Sequence, residues 1–184
     1  MNVIEALHNR VSTPRLCEPA PSKEILENIY KSAFSAADHG LLQPWRFLIV
    51  KEQARYRLGD LFAQATLETT ADVSQEKLEI IKKKPLRAPL IIVTIAKHVA
   101  HPKIPEIELS LSAAAATQNM LLAAFALGVG AMWRTGAMAY SPTVSAGLGL
   151  EKHEKIVGFL YLGATQGSQK PPRDHIVDEF FQEW

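Results

Sequence analysis

The 184-residue chain balances 20 Lys plus Arg against 19 Asp plus Glu, which gives no bulk electrostatic reason to expect nucleic acid or an anionic membrane as partner. Its length suits one domain with a proper core, residues 1–184 as a unit, and is short for two. Cys17 is the single cysteine, which excludes an intrachain disulfide, and Met1-Asn2-Val3-Ile4-Glu5 lacks the basic and apolar regions of a secretory signal, so a soluble, cytoplasmic protein is expected.

In chain order, Val3, Ile4, Leu7 and Val11 recur at helical spacing and predict a short amphipathic helix. It runs into Arg10-Val11-Ser12-Thr13-Pro14-Arg15, where Pro14 disfavours helical geometry at Thr13. Arg10, Ser12 and Arg15 then sit at a helix end or turn, where guanidinium and hydroxyl donors can converge on a phosphate; the alternative is a solvated basic turn. Ser22 reads as a helix cap after Pro19 and Pro21, with Ile25, Leu26, Ile29, Tyr30 and Ala33 as the apolar stripe of a helix reaching about Ala37. Asp38 to Pro44 reads as a loop carrying His39 beside Gly40, and Trp45 to Val50 as a strand.

Leu58, Leu61, Phe62 and Ala65 predict a helix over Gln53 to Thr69, and a charged helix follows, ending at Lys82-Lys83-Lys84-Pro85. Those lysines read as a solvated helix end. Pro89 to Ala96 is a near-continuous β-branched run, the mark of a strand buried on both faces. His98 and His101 have no well-placed third metal ligand beside them, so a polar loop is the better reading.

From Leu109 to Leu127 there is no charge, Pro or Gly, which predicts a long helix starting near Pro105 and stopped by Gly128. The length would span a bilayer, but Thr117, Gln118 and Asn119 at its centre favour a core helix. Being apolar almost all round, it is expected to be covered on every side, in part by a second subunit. Val129 to Trp133 reads as a short strand, Arg134-Thr135-Gly136 as a turn, Ser141-Pro142 as the start of a short helix and Ile156 to Gly163 as another buried strand. The tail holds Pro171-Pro172 and then Ile176, Val177, Phe180, Phe181 and Trp184, an apolar end that has to dock somewhere.

The usual nucleotide loops and the Gly-x-Ser-x-Gly elbow are absent, and nothing ties Cys17 to a base. A set of anion and hydrogen-bond donors around apolar surfaces suits a bound cofactor better than side-chain catalysis.

Four segments in order carry a resemblance: Arg10-Val11-Ser12, Gln43-Pro44-Trp45-Arg46-Phe47, Gly130-Ala131-Met132-Trp133-Arg134-Thr135-Gly136 and Lys155 to Gly163. Together they resemble the FMN-dependent nitroreductase family, in its short bacterial branch, over nearly the whole chain. The resemblance implies an α+β fold, an α/β/α sandwich with a central mixed sheet, assembled as an intertwined homodimer with flavin sites at the subunit interface. It implies that Arg10, Val11 and Ser12 hold the FMN phosphate, that Ser35 and His39 reach the cofactor from the other subunit, and that Trp133, Arg134 and Thr135 line the isoalloxazine edge. The implied activity is ping-pong transfer from NADH or NADPH to a small acceptor such as a nitroaromatic or quinone, with the chemistry on the flavin, no metal, no nucleic acid and no membrane. Val11 stands where relatives often carry a second basic residue, and Arg15 or Arg173 could supply that charge. A flavin-binding or storage protein, and a dimeric interaction protein without cofactor, are the competing readings.

Overall fold

The computed structural model describes Met1 to Trp184 without interruption. Five strands form its sheet: β1 (Leu16–Cys17), β2 (Trp45–Lys51), β3 (Leu90–Lys97), β4 (Gly130–Arg134) and β5 (Glu154–Thr165). The helices are α1 (Val3–Asn9), α2 (Lys23–Ala33), α3 (Gln53–Thr69), α4 (Gln75–Lys82), α5 (Glu106–Ala126) and α6 (Pro142–Gly147). Several begin where their sequence supplies a cap. Ser22 accepts a hydrogen bond from the Ile25 N–H and Ser141 from the Val144 N–H, each satisfying a first-turn donor that has no intrahelical partner. Gly128, at φ +75°, follows the end of α5 in the left-handed region that glycine tolerates.

β5 is the hub of the sheet. It pairs with β3 along one side and β4 along the other, its last residues take β1, and β2 closes the β3 side as an edge strand. Every pairing is antiparallel, so within one chain the sheet is not mixed as the sequence suggested. The connection between β2 and β3 supplies the reason: α3 and α4 pack against each other, and a Cβ on Gly59 near the start of α3 would lie 2.2 Å from the Lys82 carbonyl at the end of α4. Two antiparallel helices return the chain to the end of the sheet it left, and β3 therefore runs back against β2.

The layers are α/β/α. Leu58, Phe62 and Ala65 of α3 and Val144 of α6 pack with Val50, Ile91, Val93, Phe159 and Tyr161 on one face. Ile29 and Ala33 of α2 and Ala113, Ala116, Met120 and Ala124 of α5 pack with Leu90, Ile92, Leu160 and Leu162 on the other. β3 is buried from Leu90 to Ala96, as its β-branched run required.

Two segments leave apolar surface open on the single chain. α5 is long and apolar enough to cross a membrane, yet it lies against the sheet and α2, with Leu109, Ala113, Thr117 and Met120 buried while Ile107 and Leu111 are exposed. One chain therefore covers one side of this helix and leaves the other open. The tail beyond β5 is exposed from Thr165 to Trp184, with only a short 3-10 turn at Val177–Glu179, so its aromatic end does not dock on its own subunit.

Candidate functional site

The phosphate-binding candidates lie beside the open edge of β4. α1 starts with a capping box between Asn2 and Glu5 and ends at Arg10, which adopts an extended conformation. Thr13, buried, then donates its N–H to the Ala131 carbonyl at 2.9 Å and accepts from Gln169 Nε2 at 3.1 Å, fixing the segment against β4. Ser12 is exposed and Val11 half-buried. The Arg10 Nη1 is buried without a hydrogen-bond partner, and a buried guanidinium N–H left unpaired is costly unless an anion accepts it. That orphaned donor fits a phosphate better than it fits a solvated basic turn.

The same contact shows which way β4 presents its backbone. In an antiparallel ladder alternate residues turn their N–H and C=O away from the partner strand. Ala131 directs its carbonyl outward to Thr13, so Trp133, two residues on, turns its own N–H and C=O toward the open edge. Its indole packs on the α5 face against Gly158, where a Cβ would come within 2.1 Å of Nε1; that nitrogen is buried and has no partner.

Arg134 points to the opposite face. Residues opposed across β4 and β5 share a face, and the pairs Met132 with Tyr161 and Arg134 with Phe159 put these four on the α3 side. The Arg134 guanidinium lies 5.7 Å from the centre of the Tyr161 ring. Burial, and then the charge of Arg87, pull Arg134 below its ordinary pKa, while burial pushes the Tyr161 phenol up to about 12. A cleft of about 390 Å3 opens here, lined also by Thr135, Lys84 and Arg87. The Trp133 indole and the Arg134 guanidinium thus leave the strand on opposite faces, while Trp133, Arg134 and Thr135 all border the cleft.

Ser35 and His39 sit elsewhere on the same chain. Ser35 Oγ accepts a hydrogen bond from Asn119 Nδ2 at 3.3 Å, midway along α5, and His39 Nδ1 pairs with Glu108 near the start of α5. Those two partners are separated by about 16 Å of helix. Both side chains are exposed along α5, on the helix whose outer side is uncovered. The loop between them and β2 is strained: Gly40, Leu41 and Gln43 all have positive φ, and the Asp38 carboxylate holds it by accepting the Gln43 N–H at 2.7 Å.

Sequence reasoning missed several neighbours of these groups. Lys84 is not a solvated helix end but half-buried at the Arg134 cleft. Glu154 is buried and takes both Arg46 Nε and Nη2 at 2.6 Å, so Arg46 of the Gln-Pro-Trp-Arg segment locks β2 to the start of β5. His98, in the loop that follows β3, is buried; its Nε2 lies 2.7 Å from Ser110 Oγ, and burial lowers its pKa. Arg46 at the start of a strand was a visible signal, but its carboxylate partner lies over a hundred residues away.

The molecule is thus a three-layer α+β sandwich with a buried, unpartnered arginine nitrogen on the segment beside an open strand edge. Residues 9–164 match the nitroreductase family, and the chain belongs to it. It is 40% identical over 166 residues, 90% of either chain, to the Escherichia coli (strain K12) protein named "Putative NAD(P)H nitroreductase YdjA". A like-named Haemophilus influenzae protein is 31% identical over 180 residues, spanning 97% of this chain and 96% of its own. Among solved structures, a nitroreductase-like family protein from Bacillus cereus superposes with a TM-score of 0.88 at 22% identity, covering 100% of this chain and 96% of its own. A nitroreductase with bound FMN from Bacteroides fragilis superposes at 0.75 and 20% identity, covering 100% and 99%. At such identities these structures support the fold.

Proposed function

We propose that this chain is an FMN-dependent oxidoreductase, a single 184-residue domain that works in the cytoplasm as an intertwined homodimer and takes electrons from NADH or NADPH. The observation that carries this reading is the buried, unpartnered Arg10 Nη1, on the segment that Thr13 ties to Ala131 of β4. Arg10 offers paired donors to two phosphate oxygens and Ser12 a hydroxyl, with the Val11 backbone between them. At the other end of β4 the Trp133 N–H is free to donate to a ring heteroatom, while Thr135 borders the same edge. The partner subunit's Ser35 and His39 complete the pocket.

When bound, FMN supplies two-electron redox chemistry, linking a nicotinamide donor to an electron-poor acceptor such as a nitroaromatic or quinone by ping-pong use of one site. The protein contributes binding, orientation and positive charge, and no acid or base of its own is required. The uncovered side of α5 and the exposed aromatic tail support the dimer, because both present apolar surface that one chain leaves in water. Purification tests the reading. A yellow protein, bleached by NADH or NADPH and re-oxidised by a nitroaromatic or quinone, is the expected result. A colourless protein that FMN cannot reconstitute refutes it.

A further inference from the structure

Another cleft lies where the end of β2 and the start of β3 meet the first turns of α2 and α3, and none of the flavin-site candidates lines it. It encloses about 710 Å3, a volume suited to a small ligand. Pro21, Leu26, Tyr30 and Pro89 supply apolar walls. Arg55, in the first turn of α3, is its buried charge: the side chain is 16% exposed, against 67% for Glu18, 59% for Glu27 and 81% for Glu52 on the rim.

The Arg55 guanidinium is pinned along one edge and unsatisfied along the other. Its Nη1 donates to the Ala88 carbonyl at 2.8 Å, which leaves Nε and Nη2, the pair of donors that a carboxylate takes side-on. Arg46 shows the same edge satisfied, since Glu154 meets its Nε and Nη2 at 2.6 Å each. At Arg55, Nε is buried and has no partner, and the ion-pair partner Glu18 stands 3.6 Å from Nη2 with its other oxygen on the Ala20 N–H. A buried donor edge left in this state is costly until an anion accepts from it. Two neighbours add positive potential to the same corner. Lys23 forms no ion pair, and no side chain caps the first-turn N–H groups of α3.

We propose that this cleft is a binding site for a small carboxylic acid with an apolar body. The carboxylate takes Arg55 Nε and Nη2 in the place that Glu18 borders, Lys23 supplies a further charge, and the body packs against Leu26, Tyr30 and the two prolines. Arg10, Ser12 and the Trp133–Thr135 segment lie on other elements, so the site is independent of the oxidoreductase reading.

Calorimetric titration of the protein in excess FMN, with 2-naphthoate and with 2-naphthamide as its uncharged match, tests the site. The naphthoate is expected to bind at least about tenfold more tightly than the amide. Arg55→Lys keeps the charge but loses the side-on fork, and weakens the naphthoate about tenfold. Glu18→Gln removes the competing carboxylate and tightens it about threefold; this variant changes an exposed position and decides the matter even where Arg55→Lys does not fold. Absence of naphthoate binding, equal affinity for the two probes, or an affinity unchanged by Glu18→Gln overturns the proposal. So does naphthoate binding that shifts the flavin absorbance and persists in Arg55→Lys, which would place the acid at the flavin instead.

Discussion

Replacing Glu154 with Gln tests the link between β2 and β5 at its tightest point. The Glu154 side chain is 4% exposed and accepts from Arg46 Nε and Nη2 at 2.6 Å each, while its Oε2 also takes the Glu151 N–H at 3.0 Å. Arg46, through its hydrogen bonds first, holds the carboxyl at about 2, well below its usual 4.5. Such a displacement corresponds to roughly 3 kcal/mol of stability at neutral pH, reduced to about 2–3 because Arg46 keeps part of its hydration. The folded-state value is the lower one, so this contribution is complete above the unfolded carboxyl's range and drains away as pH falls through 4.5 toward about 2. Urea unfolding of wild type and Glu154→Gln at pH 7 and pH 3 measures it. The expected gap is about 2–3 kcal/mol at pH 7 and less than about half of that at pH 3. A gap under about 1 kcal/mol at pH 7, or one unchanged at pH 3, refutes the reasoning.

Arg10→Ala is expected to weaken FMN binding by about 1.5–3 kcal/mol, read by fluorescence titration of the apoprotein, since it removes charge-assisted donors from a buried position. Gly158→Ala places a Cβ 2.1 Å from Trp133 Nε1 and 3.0 Å from the Arg134 carbonyl. The indole has to move, at about 1–3 kcal/mol of stability measured by denaturant unfolding together with a shifted Trp emission. Deleting residues 170–184 removes Ile176, Val177, Phe180, Phe181 and Trp184, all exposed within one chain. If they pack on a second subunit the deletion costs on the order of 5 kcal/mol or more of dimerisation free energy, visible by light scattering as dissociation at micromolar concentrations where the full chain stays dimeric.

The elements were legible because their signals are local. Ser22 and Ser141 announce helix starts through bonds to N–H groups three residues on, and the β-branched run of β3 announces burial without reference to the rest of the chain. Strand direction was not legible. Whether β3 runs with or against β2 depends on the two-helix return of α3 and α4, and hydrophobic periodicity carries no information about the sense of pairing. The same limit applies to the sides of α5. Its composition has no polar face, so the sequence could not show that Ile107 and Leu111 would be left outside while Leu109 and Ala113 went in.

The candidate site divides along the same line, and the division bears on how it works. Arg10-Val11-Ser12 and Trp133-Arg134-Thr135 stand out as short segments, but their relation is created by one backbone bond from Thr13 to Ala131, which also fixes which groups of β4 face outward. Strand alternation then sends Trp133 and Arg134 to opposite faces. One edge is thereby offered two chemically different flanks: an indole whose buried Nε1 is unpaired, and a cationic cleft completed by Lys84 and Arg87 from a turn some fifty residues earlier. A planar ring held along that edge through main-chain contacts would leave the side chains on either side free to sort what approaches it.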